Sequence, residues 1–190
     1  MATIPWLLLA VLALAESAPA IFIPQSPRES DIVAAFPELR GDKKLSVCSN
    51  AMMSGATEIV YLSGAKNNEV TVKSVHCTRA STGLNCGAVR REVNYFLDSP
   101  ENFFSLENLP LSTARSIIEA YKANRIDTVP DWFVARPEVR SIKALPDGRY
   151  RLRFGEYYCA GCTTVFNVRL ETKENEPRLV YAGDADGGCF

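Results

Sequence analysis

Only one long segment of this chain has the periodicity of an α-helix, and this limits the folds that it can adopt. From 111 to 126, apolar residues recur at helical spacing in a single stripe, formed by Leu111, Ala114, Ile117, Ile118 and Tyr121. A helix with one apolar face must pack against another element, and the flanking sequence offers β-sheet. Because one helix cannot connect many parallel strands, the strands should be antiparallel. The sequence therefore predicts an α+β fold.

The segments on both sides of this helix alternate apolar and polar residues, as β-strands do. The four strands predicted before it span residues 57–63, 69–79, 84–97 and 103–106. Two further segments after it have apolar residues at Tyr150, Leu152 and Phe154, then at Phe166, Val168 and Leu170. We expect one amphipathic helix packed on antiparallel β-meanders, an architecture that is similar to cystatin-like folds. The inhibitory Q-x-V-x-G loop of cystatins is absent, so this likeness implies nothing about activity.

The N-terminus contains the parts of a secretory signal peptide in the expected order. Residues 6–15 form an unbroken apolar run, shorter than the roughly 20 residues that cross a bilayer. Ala18-Pro19-Ala20 resembles a cleavage site, so residues 1–20 are predicted to be removed on export. Proline-rich residues 21–44 are predicted to form an arm with little structure of its own. Residues 45–190 should form one disulfide-stabilised domain, β-rich over 45–108 and with helix and meander over 109–190.

Export predicts that the six cysteines form disulfides, because oxidation is the rule outside the cytosol. Cys77 and Cys86 flank the turn at residues 81–83 almost symmetrically. Cross-strand neighbours have Cβ atoms at about the separation that a disulfide needs. We therefore predict a Cys77–Cys86 disulfide.

Two pairings remain open for the other four cysteines, Cys48, Cys159, Cys162 and Cys189. In the first, Cys159 and Cys162 bond to each other and staple the tip of a hairpin. This requires a one-residue bulge, since otherwise the apolar face of one strand would meet the polar face of the other. The natural sites for that bulge are Gly155 and Gly161. In the second, the two cysteines bond elsewhere, to Cys48 and Cys189.

The pair Cys159-Ala-Gly-Cys162 is also the alternative candidate for chemistry, as a thiol–disulfide redox or metal-handling site. Redox catalysis needs a stabilised thiolate, which the start of a following helix supplies in thioredoxin-like enzymes. Here the residues after Cys162 alternate as a strand does. A zinc site usually shows a second such pair or paired histidines, and the chain has one histidine. We therefore predict no catalytic residue, no metal site and no cofactor.

A stripe of four arginines is the candidate ligand-binding surface: Arg149, Arg151, Arg153 and Arg169. Such a stripe either receives an anionic ligand or acidic partner, or is the solvated face of a sheet. The formal net charge of −1 gives no footprint for nucleic acid, and no segment outside the signal peptide is apolar enough to span a membrane. We expect a periplasmic or secreted, non-catalytic module with a binding, inhibitory or envelope-structural role. Its expected partner is another envelope or extracellular protein.

Overall fold

The computed structural model of the protein describes residues 20–50, 55–128, 138–154 and 164–184. The first strands in these ranges are β1 (Ile21–Ile23), β2 (Lys43–Asn50), β3 (Ala56–Lys66), β4 (Glu69–Ala80), β5 (Gly83–Cys86) and β6 (Arg90–Phe96). The remaining strands are β7 (Phe103–Glu107), β8 (Ile126–Asp127), β9 (Val139–Ala144), β10 (Tyr150–Phe154), β11 (Thr164–Lys173) and β12 (Glu176–Asp184). The helices are α1 (Glu29–Ala35) and α2 (Leu111–Lys122), and a 3₁₀ turn covers Pro37–Leu39.

The fold is mostly β, and the predicted α+β class was wrong. All the strands of the described ranges belong to one mixed sheet, and the two helices are short. The strands were expected to be antiparallel, but β7 and β9 pair in parallel. A second parallel pair links β12 to β8. The expected likeness to cystatin-like folds depended on an antiparallel meander around a single helix, so the mixed sheet and the two short helices remove its basis.

The helix α2 is also shorter than its apolar stripe predicted. It ends at Lys122, and Asn124 adopts a left-handed conformation with φ of 54°. Asparagine tolerates this conformation better than most residues, so it is well suited to end a helix. Ile126 therefore lies in β8 and not in the helix, although it is buried in the same core as the α2 stripe. Neither helix of the described ranges is long and apolar enough to cross a membrane.

The long strand β4 organises the N-terminal half of the sheet. It pairs with β3 along one edge, whereas its other edge is divided between β6 and β5. The single strand predicted over 84–97 is therefore two strands, β5 and β6, which pair with different halves of that edge and are separated by residues 87–89. The full order is β1-β5-β4-β6-β7-β9-β10-β11-β12-β8, with β3 on β4 and β2 on β3.

Residues 21–44 are more ordered than the arm that the sequence predicted. β1 pairs antiparallel with β5, and a Cβ atom on Gly83 would lie only 2.3 Å from the carbonyl oxygen of Ile23. Glycine at this position therefore allows the close approach of β1. Four apolar side chains of the segment are buried in a core with β3, β4 and β5: Ile23, Ile32, Phe36 and Leu39. Ile32, Phe36 and Leu39 have the i, i+4, i+7 spacing of a helix, but Pro37 limits the run, so the pattern is too short to predict a packed element.

A second core lies between α2 and the C-terminal half of the sheet. The stripe residues Ala114, Ile117, Ile118 and Tyr121 are buried there, together with apolar side chains of β7, β9, β10, β11 and β12. At its centre the ring of Phe154 lies 4.9 Å from that of Tyr121 and 4.8 Å from that of Phe166. This packing covers one face of the sheet. The other face of β7, β9, β10 and β11 is mainly polar, although Phe103 and Val165 are buried apolar side chains there.

Candidate functional site

Alternation along β10 and β11 separates an apolar from a polar face of the sheet. Leu152 is buried on the α2 side, while Arg151 and Arg153 are exposed on the other. The register pairs like with like, because Leu152 lies opposite Phe166 and Arg151 lies opposite Asn167. Polar side chains from neighbouring strands therefore collect on the face away from α2.

A cleft of about 430 Å³ lies on this polar face. Its basic lining consists of Arg140, Lys143, Arg151 and Arg153. Its other polar side chains are Glu92, Ser105, Glu107 and Ser141. Four cations therefore face two carboxylates, and the cleft has a net positive charge although the whole chain is close to neutral.

One line of side chains across the cleft is bonded within itself. This paired row consists of Glu107, Lys143, Arg151 and Asn167, which lie opposite one another on β7, β9, β10 and β11. Lys143 forms an ion pair with Glu107, and Nε of Arg151 donates a hydrogen bond to Oδ1 of Asn167 at 3.3 Å. Asn167 is only 5% exposed, so its amide gives Arg151 a well-fixed acceptor. The side chains of the paired row are thus largely satisfied by contacts with one another.

The neighbouring line of side chains lacks such bonds. This open row consists of Ser105, Ser141 and Arg153, which are direct cross-strand neighbours on β7, β9 and β10. Within the described ranges, none of these three side chains forms a hydrogen bond or ion pair. Val165 of β11 lies opposite Arg153 and closes the row with a buried apolar side chain. The open row therefore presents two hydroxyls and one guanidinium to the cleft.

The structure brings two of the four arginines of the predicted stripe into the cleft. Arg151 and Arg153 line it, but Arg169 is exposed further along β11. Arg149 lies in the turn before β10, where it pairs with Asp147 and donates a hydrogen bond to the carbonyl oxygen of Ala182 at 3.1 Å. The hydrogen bond from Arg149 lowers the pKa of Asp147. Arg149 is thus bonded within its own turn and to β12, and it does not line the cleft.

Sequence reasoning missed the residues that β7 and β9 contribute to the cleft. The alternation in Ser105-Leu106-Glu107 and in Ser141-Ile142-Lys143 is a readable signal that each strand has a polar face. No local pattern shows that these two strands are neighbours, because α2 and more than thirty residues separate them along the chain. The parallel pairing of β7 with β9 was therefore needed to assemble the site.

The predicted disulfide between Cys77 and Cys86 is present. These residues are cross-strand partners on β4 and β5, and their Sγ atoms lie 2.08 Å apart. Cys48 lies in β2 opposite Glu58. The other three cysteines, Cys159, Cys162 and Cys189, lie outside the described residues.

The register of β10 and β11 bears on the hairpin predicted around Cys159 and Cys162. Phe154 lies opposite Thr164, and the ladder keeps apolar residues opposite apolar residues without a bulge between 150 and 168. Both alternatives for these cysteines remain open, since residues 155–163 lie outside the described ranges. Within those ranges, no group of three or more His, Cys, Asp and Glu residues could hold a metal ion.

The chemistry that the open row supports is the binding of an anion. Guanidinium and hydroxyl groups donate charge-assisted hydrogen bonds to a carboxylate or phosphate. A serine nucleophile would require a base in contact with its hydroxyl, and neither Ser105 nor Ser141 contacts one in the described part of the chain. No protein-family model matches this chain, and comparisons with curated proteins and with solved structures find no match.

Proposed function

We propose that this protein is an exported, non-catalytic binding module and that its ligand occupies the polar cleft over β7, β9, β10 and β11. The observation that carries this proposal is the open row, in which Ser105, Ser141 and Arg153 have no side-chain partner among the described residues. The cleft volume of about 430 Å³ falls within the range of roughly 300–1,000 Å³ that is usual for ligand sites. Inhibition of a partner or a structural role in an envelope would both use such a surface.

The rigidity of the cleft supports a binding role. Each lining side chain of the two rows comes from a strand that is paired on both sides, so the backbone below the ligand is already ordered. A ligand that binds to an ordered site does not have to offset the entropy lost when a loop becomes fixed. The Arg151–Asn167 hydrogen bond and the Lys143–Glu107 ion pair further restrict the side chains beside the open row.

Export is supported by the apolar run at residues 6–15 and by the Cys77–Cys86 disulfide. In addition, β1 begins at Ile21, directly after the predicted cleavage site. The redox or metal-handling alternative depends on Cys159 and Cys162, which lie outside the described residues, so no observation from the structure favours it.

When the full chain is expressed in an export-competent cell, we expect residues 1–20 to be removed. Intact mass and N-terminal sequencing should then identify a chain that starts at Ile21, in the periplasm or the medium. A control with Ala18→Asp and Ala20→Asp should stay uncut, because signal peptidase requires small side chains at these positions. Full-length protein retained in the cytosol would contradict the export proposal.

Binding at the cleft can be mapped by backbone amide NMR with a panel of blocked pentapeptides of acidic, neutral and basic composition. We expect the amides of β7, β9 and β10 around Ser105, Ser141 and Arg153 to shift on titration. The variant Arg153→Glu should lose these shifts, because reversing the charge removes the donor and repels an anion.

The matched control is Arg115→Glu, which makes the same charge change on an exposed position of α2, on the other side of the sheet. This variant should keep the shifts. Shifts that cluster on α2, or a panel that leaves the cleft amides unchanged, would contradict the proposed binding surface.

A further inference from the structure

We infer that the cleft recognises a carboxylate from an acidic segment of a protein partner, with Arg153 as its principal contact. This inference rests on the binding function proposed above and specifies its ligand. It follows from three properties of the two rows: their charge balance, their spacing and the types of hydrogen-bonding group that they present.

The ion pairs and hydrogen bonds of the cleft together single out one cation for the ligand. Lys143 is matched by Glu107, and Arg140 forms an ion pair with Glu138. Arg151 keeps its charge, because Asn167 is neutral, but its Nε atom is already engaged with the amide oxygen of Asn167. Arg153 therefore remains as the exposed guanidinium in the cleft that has no side-chain partner among the described residues.

A single available guanidinium suits a monoanion better than a phosphate dianion or a polyanion. The planar fork of arginine matches the two oxygens of a carboxylate and can bind both of them. Glu107 is matched by Lys143, but the carboxylate of Glu92 also lines the cleft and would repel additional negative charge on a ligand. The nearly neutral composition of the chain agrees with a site of modest charge.

The spacing of the open row suits an extended peptide. Neighbouring strands lie about 4.8 Å apart, so the three side chains on β7, β9 and β10 span about 10 Å. An extended peptide advances about 3.3 Å per residue, and roughly three residues would cover this distance. With a Glu or Asp carboxylate at Arg153, the following amide and carbonyl groups would reach Ser141 and Ser105, whose hydroxyls both donate and accept.

Three blocked pentapeptides test this inference: Gly-Gly-Glu-Gly-Gly, the same peptide with Gln in place of Glu, and the same peptide with phosphoserine. Dissociation constants would be measured by NMR titration of the mature chain with its disulfides intact. We expect the Gln peptide to bind at least about 10-fold more weakly, which is the usual worth of a charged hydrogen bond. The phosphoserine peptide should bind no more tightly than the Glu peptide.

Variants at Arg153 distinguish its role from a general effect of charge. Arg153→Gln should lower the affinity for the Glu peptide about 10-fold. Arg153→Lys should give an intermediate loss of affinity, because lysine keeps the charge without the planar fork. Arg115→Gln serves as the matched control and should leave affinity unchanged. Arg153 is exposed, so all of these variants should fold, which the thermal midpoint and the intact Cys77–Cys86 disulfide would verify.

The outcomes separate this inference from the proposed function. If the Gln or phosphoserine peptide shifts the cleft amides at lower concentration than the Glu peptide does, the cleft still binds ligands and the carboxylate inference is wrong. Equal binding of the Glu peptide by Arg153→Gln would likewise overturn the role of Arg153. If no peptide of any composition shifts the cleft amides, the proposed function itself fails.

Discussion

Replacing Phe154 with alanine is expected to lower the free energy of unfolding by about 3–5 kcal/mol. Phe154 is fully buried between α2 and the sheet, with its ring stacked on Phe166 and tilted against Tyr121. The substitution removes the transfer free energy of a large apolar side chain and leaves a cavity that rigid strands on both sides cannot close. Equilibrium denaturation in urea, with the m-value compared between variants, measures the loss.

The matched control for this prediction is Phe22→Ala. This variant removes the same side chain from β1. Because Phe22 is 62% exposed, its replacement should lower the free energy of unfolding by less than about 1 kcal/mol. The two variants therefore separate the effect of burial from the effect of losing an aromatic ring. Similar costs at the two positions would contradict the placement of Phe154 at the centre of the α2 core.

Removing Asp42 by substitution with alanine is expected to destabilise the protein by about 3–5 kcal/mol. Nζ of Lys73 lies 2.7 Å from Oδ2 of Asp42, and both side chains are only 12% exposed. The same Nζ atom donates a hydrogen bond to the carbonyl oxygen of Glu38 at 2.6 Å. Without Asp42, a nearly buried ammonium on β4 would lose its counter-charge, and the segment after the 3₁₀ turn would lose its anchor to the sheet.

Two further variants show whether burial causes this cost. The double substitution Asp42→Leu with Lys73→Met should recover much of the lost stability, since no charge is then left unpaired. Glu101→Ala removes the partner of Lys43, whose Nζ atom lies 2.9 Å from Oε1 of Glu101, but these side chains are 62% and 52% exposed. That exposed pair should be worth at most about 1 kcal/mol. If Asp42→Ala costs no more than Glu101→Ala, the pair with Lys73 does not anchor the N-terminal segment.

The N-terminal segment, residues 21–44, has an ordered structure that its local sequence pattern did not predict. Prolines and scattered charges made residues 21–44 resemble a loose arm, and the helical spacing of Ile32, Phe36 and Leu39 is too short a run to predict a packed element. In the structure these three side chains and Ile23 complete a core that β3, β4 and β5 cannot close alone. The Lys73–Asp42 pair, the Tyr61–Glu29 hydrogen bond of 2.8 Å and the close approach at Gly83 then hold the segment in place.

The cleft shows the same division between local and long-range information. Alternation located Arg151 and Arg153 on the polar side of a strand, and the structure agrees with that assignment. Arg149 and Arg169 continue the same alternation, yet they do not line the cleft, because the turn at Asp147 engages Arg149 and the cleft does not extend to Arg169. Sequence periodicity identifies a face, and only the neighbouring strands determine which part of that face becomes concave.

The sequence by itself determined the alternation of the strands, the buried stripe of α2 and the Cys77–Cys86 pair, because each depends on contacts between residues close together in the chain. Only the tertiary structure decided that the strands form one mixed sheet, that residues 21–44 complete a core, and that Ser105 and Ser141 join Arg153. These features depend on pairings such as β7 with β9, which connect strands on opposite sides of α2. Many partners could satisfy the same backbone hydrogen bonds, and packing of the whole core selects among them.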